Sequence, residues 1–206
     1  MSGNNDLNTY AALLDNRIWK TKGSRFNAAR RLNNKYQFSL NSISILSVYG
    51  IAIPMIQGIV KNPQCQKIND IYNAISLILS IFTLVISLLE GAKNYQLRAE
   101  KLHKNAVAIS SLYRDLEHLK ISNLGDADFL QKLKDISIRY EELIKECSEN
   151  HETEDYTLFM AQNRKDFKIG WLTGFFIRMK LIVIDYWLYI FVLGIPPILF
   201  LLYSSC

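Results

Sequence analysis

Six polar side chains, Asn73, Ser76, Ser80, Thr83, Ser87 and Glu90, recur at steps of three and four in a segment otherwise made of Ala, Ile, Leu, Phe and Val. On a helix this spacing puts all six on one narrow face. A row of hydroxyls with one amide and one carboxylate on an apolar helix supports two kinds of chemistry. Several copies of the helix can line a water-filled pore, with Glu90 forming an acidic ring at the cytoplasmic mouth that favours cations. The same row can instead be a dry helix–helix interface, in which each hydroxyl bond across the seam is worth about 0.6 kcal/mol. Small hydroxyls also bond the carbonyl four residues back, so the row alone does not decide between the two.

Two further sets of residues have spacing that packs helices. Gly50, Pro54 and Gly58 fall at steps of four in an apolar run. Small residues at that spacing let another helix approach closely, and Pro54 is expected to kink its own. Tyr95, Ala99, Leu102, Ala106, Ile109, Tyr113 and Leu116 form a heptad, and Phe129, Leu133, Ile136, Tyr140, Leu143 and Cys147 form a second one. The turn Ser122-Asn123-Leu124-Gly125 lies between them, with Asp126 or Asp128 as the expected helix cap. Two seams joined by a short turn predict an antiparallel helical hairpin or a seam shared between subunits. The seam is expected to centre on Leu102, Ile109, Leu116, Phe129, Leu133, Ile136 and Tyr140.

Residues with catalytic or metal-binding potential form no set. His103, His118 and His151 stand apart, and Cys147-x-x-x-His151 has half the spacing of a zinc site with no second pair. Cys65, Cys147 and Cys206 are too scattered for a disulfide framework, although Cys65 and Cys206 are both expected on the outer side. No phosphate-binding, dinucleotide, hydrolase, metalloprotease or kinase motif occurs. The expectation is a protein that is not an enzyme and needs neither metal nor cofactor. Direct nucleic-acid binding is not expected, because no recognition motif accompanies the formal net charge of +5.

The elements that position these residues are apolar runs at about 43–60, 71–89 and 181–203, which hold one charged side chain, Asp185, of the chain's 24 basic and 19 acidic residues. As helices they span about 27, 28 and 34 Å, close to the roughly 30 Å of a hydrocarbon core. A purely soluble protein is therefore excluded. The segregation predicts an all-α integral membrane protein with three transmembrane helices and a cytoplasmic antiparallel helical hairpin. Its plan is a basic amphipathic arm at 1–38, a transmembrane hairpin at 39–90, a cytoplasmic hairpin at 91–165, and an interfacial helix with the third span at 166–206. Gly23-Ser24 is expected to break the arm in two. The ten-residue connection 61–70, with Pro63, makes the first two spans antiparallel, and Pro196-Pro197 is expected to bend the third.

Basic residues set the orientation. Arg17, Lys20, Lys22, Arg25, Arg30, Arg31 and Lys35 face two acids in residues 1–38, and residues 90–180 carry fifteen charges of each sign. Lys and Arg mark the cytoplasmic side. The N-terminus is then inside and the C-terminus outside, in a multi-pass membrane protein with no cleavable leader. The basic flanks and the aromatic stretch Phe167, Trp171, Phe175 and Phe176 are expected to meet anionic lipid headgroups. The acids of 141–155 are expected to form a solvated helix end, and Asp185 to reach the interface or pair with Arg178 or Lys180.

The basic stretch Arg25-Phe26-Asn27-Ala28-Ala29-Arg30-Arg31-Leu32 and the two-span hairpin are joined by a long helix leaving the second span. That helix reads Glu90-Gly91-Ala92-Lys93, then Arg98-Ala99-Glu100-Lys101-Leu102-His103 to Ser111-Leu112-Tyr113. This combination resembles the SLATT family of prokaryotic conflict-system membrane proteins, over about residues 10–120 and more loosely beyond. The third run resembles a subgroup with a C-terminal extension. The resemblance implies an effector that oligomerises and breaches the membrane in antiviral defence by abortive infection. It also implies a trigger from a separate sensor encoded nearby, such as a nucleotide-signalling enzyme or a reverse transcriptase. The rival expectation is a non-conducting anchor or scaffold whose hairpin recruits a soluble enzyme.

Overall fold

The computed structural model describes residues 2–59 and 66–204, and every regular element among them is an α-helix. These are α1 (Ser2–Ile59), α2 (Gln66–Ala92), α3 (Tyr95–Ile121), α4 (Asp126–Glu146), α5 (Thr153–Gln162) and α6 (Trp171–Ser204). They form two compact units. One holds the chain up to Asn33 together with Gln96–Leu181, and the other holds Asn34–Tyr95 and the chain from Ile182. Pro63, Cys65 and Cys206 lie outside the described residues, as do the side chains of Pro196 and Pro197.

The first unit is a helical bundle built on the two heptads. Leu102, Ile109, Leu116, Leu133, Ile136 and Tyr140 are all buried, and Phe129 packs against the core they form. A third stripe, Ala11, Leu14 and Ile18 from the first part of α1, completes that core. Steps of three and four put each set on one helical face, so three amphipathic helices bury their apolar stripes together. Arg98 meets Glu149 at 2.9 Å, the Asn105 amide donates to the Leu143 carbonyl at 2.6 Å, and Arg139 meets Asp115 at 3.2 Å. Residue numbers rise along α3 as they fall along α4, which makes the pair an antiparallel hairpin. The expected cap on Asp126 or Asp128 is corrected: Gly125 takes the cap position with no side-chain bond, and both aspartates sit in the first turn. Their charge there complements the helix dipole.

The break expected at Gly23-Ser24 is also corrected, because α1 runs through both residues as one helix. Tertiary packing overrides the local signal. Ser24 is fully buried, and a Cβ at Gly23 would lie 2.0 Å from the Phe159 ring. Phe159 stands edge-on to Trp19 at 4.7 Å, and Phe167 stacks on the same indole at 5.8 Å. Glycine is at position 23 because the α5 aromatic occupies the place of a side chain.

In the second unit the later part of α1 and α2 are apolar and outward-facing. An 18-residue window within Asp6–Ile56 and another within Asn73–Ile121 are long and apolar enough to cross a membrane, and only 17% of each is buried. The core helix of a soluble protein would be mostly buried, whereas Val48, Ile51, Met55, Leu77, Ile81, Leu84 and Leu88 are exposed here. Among the described side chains two helices meet this test. The third run lies on α6, which is continuous from Trp171. The second run does not continue unbroken into the heptad either. Asn94 takes a left-handed conformation (φ 49°) between α2 and α3, which asparagine tolerates better than most residues.

In an open helix, Gly23→Ala would add up to about 1 kcal/mol of stability. Here the ring must shift, so Gly23→Ala is expected to lower stability by about 1–3 kcal/mol, as overpacking does. Chemical unfolding of the purified protein checks the sign, and pairing the change with Phe159→Leu should recover most of the loss.

Candidate functional site: a divided polar stripe and its anchors

The six polar residues of α2 do not share one environment. Ser76, Thr83 and Glu90, seven residues apart, are buried, whereas Asn73, Ser80 and Ser87, also seven apart, are exposed. The division follows from helix geometry. At 3.6 residues per turn the two triplets lie on edges about 60° apart. Glu90, on the inner edge, meets Ser39 of α1, and Ser39, Ser42 and Leu46 of that helix are buried. A Cβ on Gly50 would stand 3.2 Å from the Ser80 hydroxyl, so the helices touch closely at that point. Of the expected small-residue set, Gly50 makes such an approach; among the described residues nothing lies within 4 Å of a Cβ at Gly58, and Pro54 is exposed on an uninterrupted helix. The contact register continues upstream instead, through Leu46, Ser42 and Ser39.

Hydroxyls in this seam are partly self-sufficient. Ser80 donates to the Ser76 carbonyl at 2.9 Å and Thr83 to the Leu79 carbonyl at 2.8 Å. The Ser76 and Ser42 hydroxyls are buried without a hydrogen-bond partner among the described residues.

Glu90 ends the stripe in a polar knot. Lys93 lies 2.5 Å from one carboxylate oxygen, the Tyr189 hydroxyl of α6 donates to the other at 2.5 Å, and Ser39 borders the same group. A bond between α1 and α6 pairs Lys35 with Asp185 at 2.6 Å, both largely buried. Asp185 thus pairs with Lys35, which lies outside the expected set of Arg178 and Lys180, and Arg178 donates to the Ala161 carbonyl at 3.4 Å. Phe38 lies between these anchors, 4.8 Å from the Tyr186 ring and 5.6 Å from the Tyr189 ring. Sequence reasoning missed Lys35, Ser39, Ser42 and Tyr189. The serines continue the 3–4 spacing of Leu46 and Gly50 and were detectable on that ground, whereas nothing in the chain's order links residue 35 to 185.

In the helical bundle the basic stretch of α1 serves a different purpose. Arg31 is buried and donates from Nε to Asp155 at 2.8 Å and from Nη2 to Glu152 at 2.5 Å. Asp155 is fully buried and also accepts from the Glu152 backbone, closing the capping box that starts α5. Asn27 donates to the Asp155 carbonyl at 3.4 Å and to Gln162 at 3.0 Å. Burial works against the charge of Arg31, and the two carboxylates outweigh it, holding the guanidinium above its ordinary range. Arg25, 2% exposed, instead donates to Asn105, and burial lowers its pKa. The acidic stretch 141–155 is therefore not simply a solvated helix end: Glu149, Glu152 and Asp155 are spent on Arg98 and Arg31. No group of three or more His, Cys, Asp or Glu among the described residues is placed to hold a metal.

Burial, and then the positive charge of Arg25, push the His151 imidazole below its ordinary value, against the opposing pull of Asp155. The folded state therefore takes up its proton at lower pH than the unfolded chain does. Stability from this site is fully present above about pH 6.5, the unperturbed imidazole value, and is lost as the pH falls below it. Melting temperatures measured from pH 8 to pH 5 should fall less in His151→Gln than in the parent protein.

No curated protein and no solved structure matches the chain. One family model does, over residues 7–203, described as SMODS and SLOG-associating 2TM effector domain family 5. That span covers both units and nearly the whole chain. Taken with two apolar helices that leave their faces exposed, the match places the chain in that SLATT family, as a membrane effector domain of conflict systems.

Proposed function

We propose that this membrane effector acts by opening a path for ions when several copies assemble through the outer edge of α2. The observation that carries the reading is the division of the stripe. Asn73, Ser80 and Ser87 stay exposed on a helix whose neighbouring exposed residues are Leu77, Ile81, Leu84 and Leu88. In hydrocarbon a polar side chain facing lipid is costly, so this edge calls for water or another protein surface. Assembly supplies both: Ser76, Thr83 and Glu90 stay buried, Ser80 borders α1 at Gly50, and Asn73 and Ser87 face a lumen or a neighbouring copy.

In this reading α6 is a third span, the N-terminus and the helical bundle lie in the cytoplasm, and the C-terminus lies outside the inner membrane. Glu90 stands at the cytoplasmic mouth. Held by Lys93 and Tyr189, it describes a resting arrangement, and opening frees the carboxylate toward passing cations. The trigger comes from a separate sensor protein, and ion leakage arrests the infected cell. The scaffold reading competes: there the outer edge is only a dry contact between helices, and the hairpin recruits a soluble enzyme.

Asn73→Leu combined with Ser87→Leu removes the outer polarity without crowding Gly50, as a change at Ser80 would. The double variant is expected to abolish membrane depolarisation, read with a potential-sensitive dye, while expression and insertion stay at parent levels. Undiminished depolarisation rejects the lined path, and a parent protein that never depolarises the membrane alongside its activated partner favours the scaffold. Glu90→Gln is expected to lower cation preference in planar-bilayer recordings, seen as a reversal potential displaced toward zero in a salt gradient. An unchanged value removes Glu90 from the conducting path.

A further inference from the structure

A groove between α1 and α3 in the helical bundle serves none of the roles above. Phe26, Ala29, Arg30 and Asn33 line it from α1, and Gln96, Ala99, Glu100 and His103 from α3, enclosing about 420 Å³. Each helix supplies positions i, i+3, i+4 and i+7, the register in which a helix offers one face to a third. Ala29 and Ala99 are buried and short, so no side chain fills the space above them. Phe26 and His103 meet edge-on at 5.7 Å and close one end. The two rims differ in charge. Glu100 is already neutralised by Lys104 at 2.6 Å, whereas Arg30 is exposed and makes no hydrogen bond or ion pair among the described residues. The groove therefore presents one free cation above an apolar floor, the only exposed arginine of a stretch whose other two are turned inward.

The same unit carries a complementary face on a different helix. Glu141, Glu142 and Glu146 of α4 are exposed and make no ion pair among the described residues. Ile138, one turn before Glu142, is an apolar side chain exposed to 56%. These residues point away from the core that Leu133, Ile136 and Tyr140 share with α1 and α3. A single copy cannot bring its own acidic face to its own groove.

We propose that the groove receives the outer face of α4 from a second copy, with Ile138 over the alanine floor and Glu142 and Glu146 toward Arg30. Groove and acidic face are different surfaces, so each contact leaves one of each unpaired at the ends. Such head-to-tail contacts close into a ring when the rotation between copies allows it and otherwise extend as an open row. The inference rests on the proposed function in taking the protein to assemble, and it names the surface that does so outside the apolar spans.

The test uses the full chain, with Cys65, Cys147 and Cys206 replaced by serine, co-expressed in cells as two differently tagged populations. One carries Gln96→Cys in the groove and the other Lys145→Cys on α4. Oxidation of the membranes with copper phenanthroline is expected to give mixed-tag disulfide dimers. Arg30→Glu in the first population should lower their yield at least fivefold, and Glu142→Lys with Glu146→Lys in the second should restore it. Absence of the mixed dimer overturns the proposal. So does a yield indifferent to Arg30→Glu, or one equalled by Lys132→Cys near the far end of α4. Cross-linking of Gln96→Cys to a co-expressed partner in place of a second copy also overturns it, in favour of an acidic helix from that partner. Cross-linked copies that leave the membrane potential intact would sink the ion-path reading and keep this one, whereas depolarisation without the mixed dimer sinks this one alone.

Discussion

A polar side chain on a helix sheathed in hydrocarbon has no water to fall back on, and this constraint organises the apolar unit. Every polar group there must bond its own backbone, meet another helix, or wait for a partner. Ser80 and Thr83 take the first course. Glu90 and Asp185 take the second, through Tyr189, Lys93 and Lys35. Asn73 and Ser87 are exposed, and in the proposed assembly they take the third. Lys35–Asp185 joins α1 to α6 and Tyr189–Glu90 joins α6 to α2, so the carboxylates, the most expensive of these groups to leave uncompensated, are paired between helices.

The helical bundle solves the opposite problem. Its apolar stripes are ordinary heptads, and the costly groups are arginines turned inward. Arg31 and Asp155 are both buried, and removing one partner of such a pair typically costs about 3–5 kcal/mol. The pair therefore fastens α5 to α1, aided by Asn27 and by the ring of Phe159 over Gly23. A basic arm that composition assigns to lipid headgroups is thus divided. Arg25 and Arg31 hold the fold together, while Arg30 remains exposed.

Much of the architecture is legible in the sequence. Three apolar runs with a single charge, two heptads around a turn and a polar row at helical spacing all concern neighbours within one helix, and helical periodicity links such residues directly. The seam residues Leu102, Ile109, Leu116, Leu133, Ile136 and Tyr140 are buried for that reason. The row on α2 was legible as a row but not as two edges. Steps of three and four look uniform on paper, and only the position of α1 shows which hydroxyls are covered.

What escaped the linear reading depends on contacts across the chain. A Gly-Ser pair signals a break unless an aromatic ring from more than a hundred residues later needs the space. A run of glutamates looks solvated until a distant arginine claims Glu152 and Asp155. The amino-acid order alone determined the helices, their apolar lengths and their family, because these depend on local periodicity and on composition. Tertiary structure alone decided which charges pair, which glycine is indispensable and which edge of α2 remains open, because long-range electrostatics and packing choose among faces that the sequence leaves equivalent.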